Sequence, residues 1–213
     1  MVAPASERLH TEVERDQTQE ILGMALLVML YDVASLSDEE ILLLTVEETT
    51  QRAETGKFVE QRGVPQETAR DGESYRHTLM GAMEELVPVG RERSLGSKYR
   101  RVVSRESNIM PIESLPGNNG AIEILVFSGG NVGRLNDEVR NPKWMRAHAI
   151  VDDATIRTAS REAVSHAIDN RFLSEGMQQH RSGLTVPVFD SVRDYRSILT
   201  QRKQYTDKRP ANI

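Results

Sequence analysis

Residues 21–31 read ILGMALLVMLY, eleven positions in a row without a charge. This run limits the folds open to the chain more than any other stretch. Removing apolar surface from water yields about 25 cal/mol per Å², so such a run belongs in an interior. As a helix it would rise only about 16 Å, and a bilayer core is about 30 Å thick. The run is therefore read as a core element. Leu, Met and Ala favour helix, and the reading is a helix over 20–35 that is apolar on nearly every face.

The segments that follow extend this helical pattern. Ser37 and Glu40 have the spacing of a capping box, in which the hydroxyl takes the N3 amide and the carboxylate reaches back. They predict a second helix through ILLLTVEETTQRAET, ended by Gly56, and KFVEQRG is a third short helical segment closed by Gly63 and Pro65. QETARDGE is a loop. Tyr75, Leu79, Met83 and Leu86 then fall on one helical face, stopped by Pro88 and Gly90. RERSLGSKYRRVVS, 91–104, predicts two short strands around Gly96.

The second half alternates more. PIESLPGNNG, 111–120, carries two Pro and two Gly and reads as a linker. AIEILVF, 121–127, is the clearest strand, and AHAIVDD, 147–153, a further one. A helix capped by Asp152 or Asp153 runs through 159. Val164, Ile168 and Phe172 mark another helix, and GMQQHRSGLTVPVF reads as strand, turn, strand around Gly183. The fold class is mainly α with minor β, an α+β chain. Its parts are a helical domain over 1–105, a linker over 106–120, a small α+β domain over 121–192 and a basic tail over 193–213.

Charge is unevenly placed. The chain has 213 residues and a formal net charge of −5, with 7 Lys/Arg against 18 Asp/Glu in residues 1–90 and 20 against 14 beyond. Six basic residues, Arg91, Arg93, Lys98, Arg100, Arg101 and Arg105, crowd into 91–105, where only Glu92 opposes them. A cluster of this kind neutralises phosphates and releases their condensed counterions. The order helix, helix, loop, amphipathic helix, basic hairpin over about 38–105 resembles the winged-helix family. That resemblance implies helix 75–86 in a major groove and the six basic residues on phosphates. A fainter second copy over 152–189 makes the chain similar to the kleisin-associated subunits of SMC complexes. The expected function is a non-enzymatic, nucleic-acid-associated protein that contacts duplex DNA. The alternative is a structural subunit of a virion, head–tail connector, filament or SMC-type complex, in which acidic and basic faces join neighbouring copies. Homo-oligomerisation is expected because 21–46 carries more apolar surface than a two-helix pair can hide.

Other chemistry finds little support. There is no cysteine, hence no disulfide, thiolate metal site or Cys nucleophile. His10, His77, His148, His166 and His180 include no pair at helical ligand spacing. A dinucleotide motif at Gly129, Gly130 and Gly133 with Asp152 fails at Ser128, where its first glycine should stand, and Pro142 cuts its helix short. Asp152 and Asp153 would face opposite sides of a strand. No catalytic centre, metal or cofactor is expected. A pocket gathering His148, Asp152 and Arg134 would be the arrangement that reverses this. The first twenty residues are acidic and polar, unlike an export signal. The expected location is the cytoplasm, or a virion under the structural alternative, with no membrane partner.

Overall fold

The apolar run at 21–31 forms a strand rather than a helix. In a computed structural model that describes residues 21–31, 37–51, 58–86, 98–103, 108–129, 132 and 135–205, strand β1 spans Gly23–Leu30. It pairs in parallel with β7, Asn119–Phe127, in unbroken register from Gly23 opposite Gly120 to Leu30 opposite Phe127. A strand buried on both faces has no polar side to show, so its sequence loses the alternation that marks a half-exposed strand. That is why helix propensity misleads here: an unbroken apolar run fits either element.

The same error recurs next door. Only Asp38–Glu40 turns, as one 3₁₀ turn, and the Ser37 side chain makes no capping bond. The predicted helix after it is β2, Leu42–Glu48. The other strands are β3 (Arg62–Gly63), β4 (Gln66–Thr68), β5 (Tyr99–Arg101), β6 (Ile109–Pro111), β8 (Val139–Arg146) and β9 (Val186–Pro187). Among the described residues the nine strands form one mixed sheet, ordered β3-β2-β1-β7-β5-β9. Strand β4 adds to β1, β6 to β7 and β8 to β2. Strands on either side of residues 106–120 thus share one sheet.

Helices cover both faces. Helix α1 spans Tyr75–Leu86, α2 Ala147–Asp152, α3 Thr158–Asp169, α4 Phe172–Arg181 and α5 Val192–Arg202. Leu26, Val28, Leu44, Leu125 and Phe127 pack with Leu79, Met83 and Leu86 of α1 and Tyr195 and Ile198 of α5. Leu27, Met29, Ile122, Ile124 and Val126 pack on the other face with Ala147 and Ile150 of α2, Val164 of α3, and Leu173 and Met177 of α4.

These layers correct the mainly α reading with minor β: the architecture is a large mixed sheet between two helical layers. The winged-helix reading falls with it, because the segment assigned to its first helix, within 38–105, is strand β2, and β5 lies inside the sheet between β7 and β9. The turn expected around Gly96 lies outside the described residues. AHAIVDD is helix α2 instead of a strand. The segment around Gly183 is not a hairpin, because α4 runs to Arg181 and β9 pairs with β5, and the second winged-helix copy goes with it. Helix 75–86 and strand 121–127 stand as read. Of the apolar side chains of 21–46 that suggested self-association, those of Ile21, residues 24–29, Ile41, Leu43, Leu44 and Val46 are buried within the chain, and Tyr31 is exposed.

Replacing Leu26, which has no exposed surface, with Ala is expected to cost about 2–5 kcal/mol in urea unfolding with an unchanged m-value. Leu184→Ala, at a position 50% exposed, is expected to stay within about 0.5 kcal/mol of the parent.

Candidate functional site

Buried charge concentrates where α5 meets α1. Ser74 starts α1: its carbonyl accepts from Thr78 N at 3.1 Å, and its hydroxyl lies 2.7 Å from His77 Nδ1. Just upstream, Arg70 N donates to Glu73 Oε2 at 2.7 Å, which turns the Glu73 carboxylate back over the sheet. Strand β4 brings Glu67 alongside. Glu84 and Glu85 follow on the last turn of α1, where Glu85 Oε2 accepts from Gln66 N at 3.2 Å.

The cation for this set comes from the far end of the chain. Arg202 closes α5, and its side chain is 5% exposed. Its Nε donates to Glu73 Oε1 at 2.5 Å, its Nη2 donates to Glu67 Oε1, and the same Nη2 reaches Thr68 O at 3.3 Å. Arg70 Nη1 in turn donates to Arg202 O at 2.9 Å. The guanidinium lies flat on Gly81 of α1, and a Cβ there would overlap its central carbon. Gly81 thus marks the seat of a buried cation. Burial works against the charge on Arg202, and Glu67 and Glu73 outweigh it and hold the guanidinium above its usual value.

Glu84 is half-buried at the rim of this group. Burial pushes its carboxyl above the usual carboxylate range; Arg202 and Lys203 oppose the shift, and Glu67 and Glu138 add to it. Glu47 and Asp153 move the other way. Asn141 holds Glu47 down despite its partial desolvation, and hydrogen bonds from Thr155 hold Asp153 down. Glu67 also lines a cavity of about 120 Å³, walled by Met24, Met110, Ile112, Leu115 and Arg157. Among the described residues no three His, Cys, Asp or Glu side chains are arranged to hold a metal ion; Glu67 and Glu73 are turned onto the guanidinium.

Of the residues expected to touch phosphates, Lys98, Arg100 and Arg101 fall within the described residues. Arg91, Arg93 and Arg105 lie outside the described residues. Arg101 Nε is 2.8 Å from Glu123 Oε1, a carboxylate with no exposure that also accepts from Tyr75 OH at 2.7 Å. Arg100 donates to the Thr185 carbonyl and, through Nε, to Thr185 Oγ1 at 3.4 Å. The carbonyl of Lys98 accepts from Ser128 N at 2.9 Å. Two of the six are thus internal fasteners of β5. Asp153 caps a turn through Thr155 at 2.9 Å, and His148 Nδ1 lies 2.9 Å from the Glu39 carbonyl. Gly130, Gly133 and Arg134 are outside the described residues.

Sequence reading missed Glu67, Glu73, Glu84, Glu85 and Arg202. Glu84 and Glu85 stand in the sequence only as an adjacent acidic pair near the end of helix 75–86. The partner 129 residues from Glu73 left no local signal.

No family model matches the chain, and no curated protein matches it in sequence. Solved structures share part of its arrangement. The NUDIX domain of Shewanella oneidensis NrtR, complexed with ADP ribose, is 12% identical at a TM-score of 0.44 over 79% of this chain and 99% of that one. A C. elegans Ap4A hydrolase is 10% identical at 0.40, over 76% and 97%. The E. coli dihydroneopterin triphosphate pyrophosphohydrolase is 15% identical at 0.41, over 71% and 99%. The expectation of a non-enzymatic, winged-helix DNA-binding protein is corrected by the fold: a mixed sheet stands where that plan needed helices, and Arg100 and Arg101 of β5 are held by Thr185 and Glu123 of the same chain. Among the described residues no helix is long and apolar enough to cross a membrane.

Arg202→Ala leaves two buried carboxylates without their cation and is expected to cost about 3–5 kcal/mol in chemical denaturation. Gly81→Ala should be destabilising in the parent because the guanidinium must move. In the Arg202→Ala background the same change should instead stabilise by up to about 1 kcal/mol, the helix propensity difference, and a double-mutant cycle reads this change of sign. Because the folded value of Glu84 is raised, the folded state binds its proton more readily than the unfolded state does. Its stabilising contribution is therefore present below the ordinary carboxylate range and lost as pH rises through the folded value. Glu84→Gln is expected to raise the melting temperature at pH 7 and to lose that advantage near pH 4.

Proposed function

We propose that this chain is a hydrolase whose acid–base group is Glu84. The supporting observation is a half-exposed carboxyl whose proton is held by burial at the rim of a charged group, next to carboxylates fixed by a guanidinium. A carboxyl tuned upward holds its proton to higher pH than an ordinary carboxyl and can deliver it to a leaving oxygen. Environments that pull neighbouring carboxyls apart assign the acid and its partner. Arg202 fixes Glu67, a residue that also lines the 120 Å³ cavity. Arg202 is a positioning residue: it touches Glu67 and Glu73 and acts through them.

The first compounds to assay are those of the structurally similar proteins: ADP ribose, Ap4A and dihydroneopterin triphosphate. They are supplied as magnesium complexes, so that an acidic rim meets charge-compensated substrates. Wild-type protein is expected to hydrolyse at least one of them, with products resolved by chromatography. Glu84→Gln is expected to lower kcat by about 10²–10⁴-fold while leaving the far-ultraviolet circular dichroism unchanged. No turnover of any of the three, or a Glu84→Gln variant as active as the parent, would overturn the reading.

A further inference from the structure

A second polar group lies at the other end of β1. Glu67 sits beside Met24 near the start of that strand, whereas Tyr31 follows its last residue, about 20 Å further on. There β1 and β7 end side by side, pointing the same way. The exposed Ser128 follows β7 directly. His180 comes from the last turn of α4, and Thr185 from the segment leading into β9. Ser128 Oγ is 3.3 Å from His180 Nε2, and His180 Nδ1 is 3.1 Å from Thr185 Oγ1. Tyr31 lays its ring edge-on to the imidazole, centroids 4.8 Å apart.

We propose that Ser128 and His180 form a nucleophile–base pair, oriented by Thr185, that accepts acyl or phosphonyl groups from activated esters. The order hydroxyl, imidazole, orienting acceptor is the arrangement that activates a serine, and such contacts are often loose before substrate binds. Arg100 Nε can only donate, so its 3.4 Å contact makes Thr185 Oγ1 an acceptor. In the tautomer that carries its proton on Nδ1, the second lone pair of that oxygen takes the Nδ1–H of His180, and the Nε2 lone pair faces Ser128. Burial, and after it the charge of Arg100, hold the imidazole below its ordinary value, which keeps it unprotonated at neutral pH. The Tyr31 ring, 36% exposed, offers an apolar wall to the incoming group.

The step balances as acyl transfer. Ser128 Oγ forms a bond to the carbonyl carbon and gives its proton to His180 Nε2. The bond to the leaving oxygen then breaks, and that oxygen takes the proton from Nε2. Water attacks the acyl-serine next and loses its proton to the same nitrogen, which returns it to Ser128 as the acid is released.

A fluorophosphonate probe tests this on the full-length protein without a substrate being known. Oγ attacks phosphorus and fluoride leaves. Peptide mass spectrometry is expected to find the adduct on Ser128, absent from Ser128→Ala and formed about 10²-fold more slowly in His180→Gln. Thr185→Val is expected to slow labelling as well, and Thr185→Ser to restore most of it. Wild-type protein that takes no adduct on Ser128 would overturn the proposal, as would labelling at an equal rate in a folded His180→Gln variant. Because Ser128 and Glu84 lie in different groups, Glu84→Gln should label at the wild-type rate. Failure of the hydrolase reading would leave this result standing.

Discussion

The parallel pairing of β1 with β7 is the constraint that organises the molecule. Two adjacent strands apolar on both faces cannot stop at a single helical layer, because either open face would leave Leu and Met side chains in water. One layer is supplied by α1 and α5 and the other by α2, α3 and α4. Parallel strands also end together, so whatever follows β1 and β7 is delivered to one edge. Tyr31 and Ser128 meet there for that reason.

Arginines tie the helical layers to the sheet and one strand of the sheet to the next. Arg202 fastens α5 to Glu67 and Glu73, Arg157 fastens the start of α3 to Glu48 at 2.9 Å and to Val64 O at 3.1 Å, and Arg101 fastens β5 to Glu123. Pairs of this kind carry a desolvation penalty close to their attraction, so their contribution lies less in net stability than in fixing one arrangement. Guanidinium suits the task, because its planar set of donors reaches several acceptors at once.

The charge asymmetry of the chain is resolved in the same way. The acidic first half and basic second half meet as pairs within the chain: Arg157 with Glu48, Arg202 with Glu67 and Glu73, and Arg140 with Glu60. A surplus that reads in sequence as two surfaces for two partners is, in the folded chain, partly a set of contacts between its own halves.

Elements whose signals are local were legible in the sequence. The apolar face of Tyr75, Leu79, Met83 and Leu86, with Pro88 beyond, specifies a helix wherever it packs. AIEILVF, rich in β-branched residues, specifies a strand. The burial of residues 24–29 was equally plain, since their composition alone keeps them out of water. Whether that run became helix or strand was decided by the tertiary structure, because partners on both faces cancel the periodicity from which the choice is read. The candidate sites belong to the same class of outcome. Arg202 meets Glu73 across 129 residues and Ser128 meets His180 across 52. A contact of that length leaves no spacing in the chain, only a glycine on α1 where a guanidinium must lie flat.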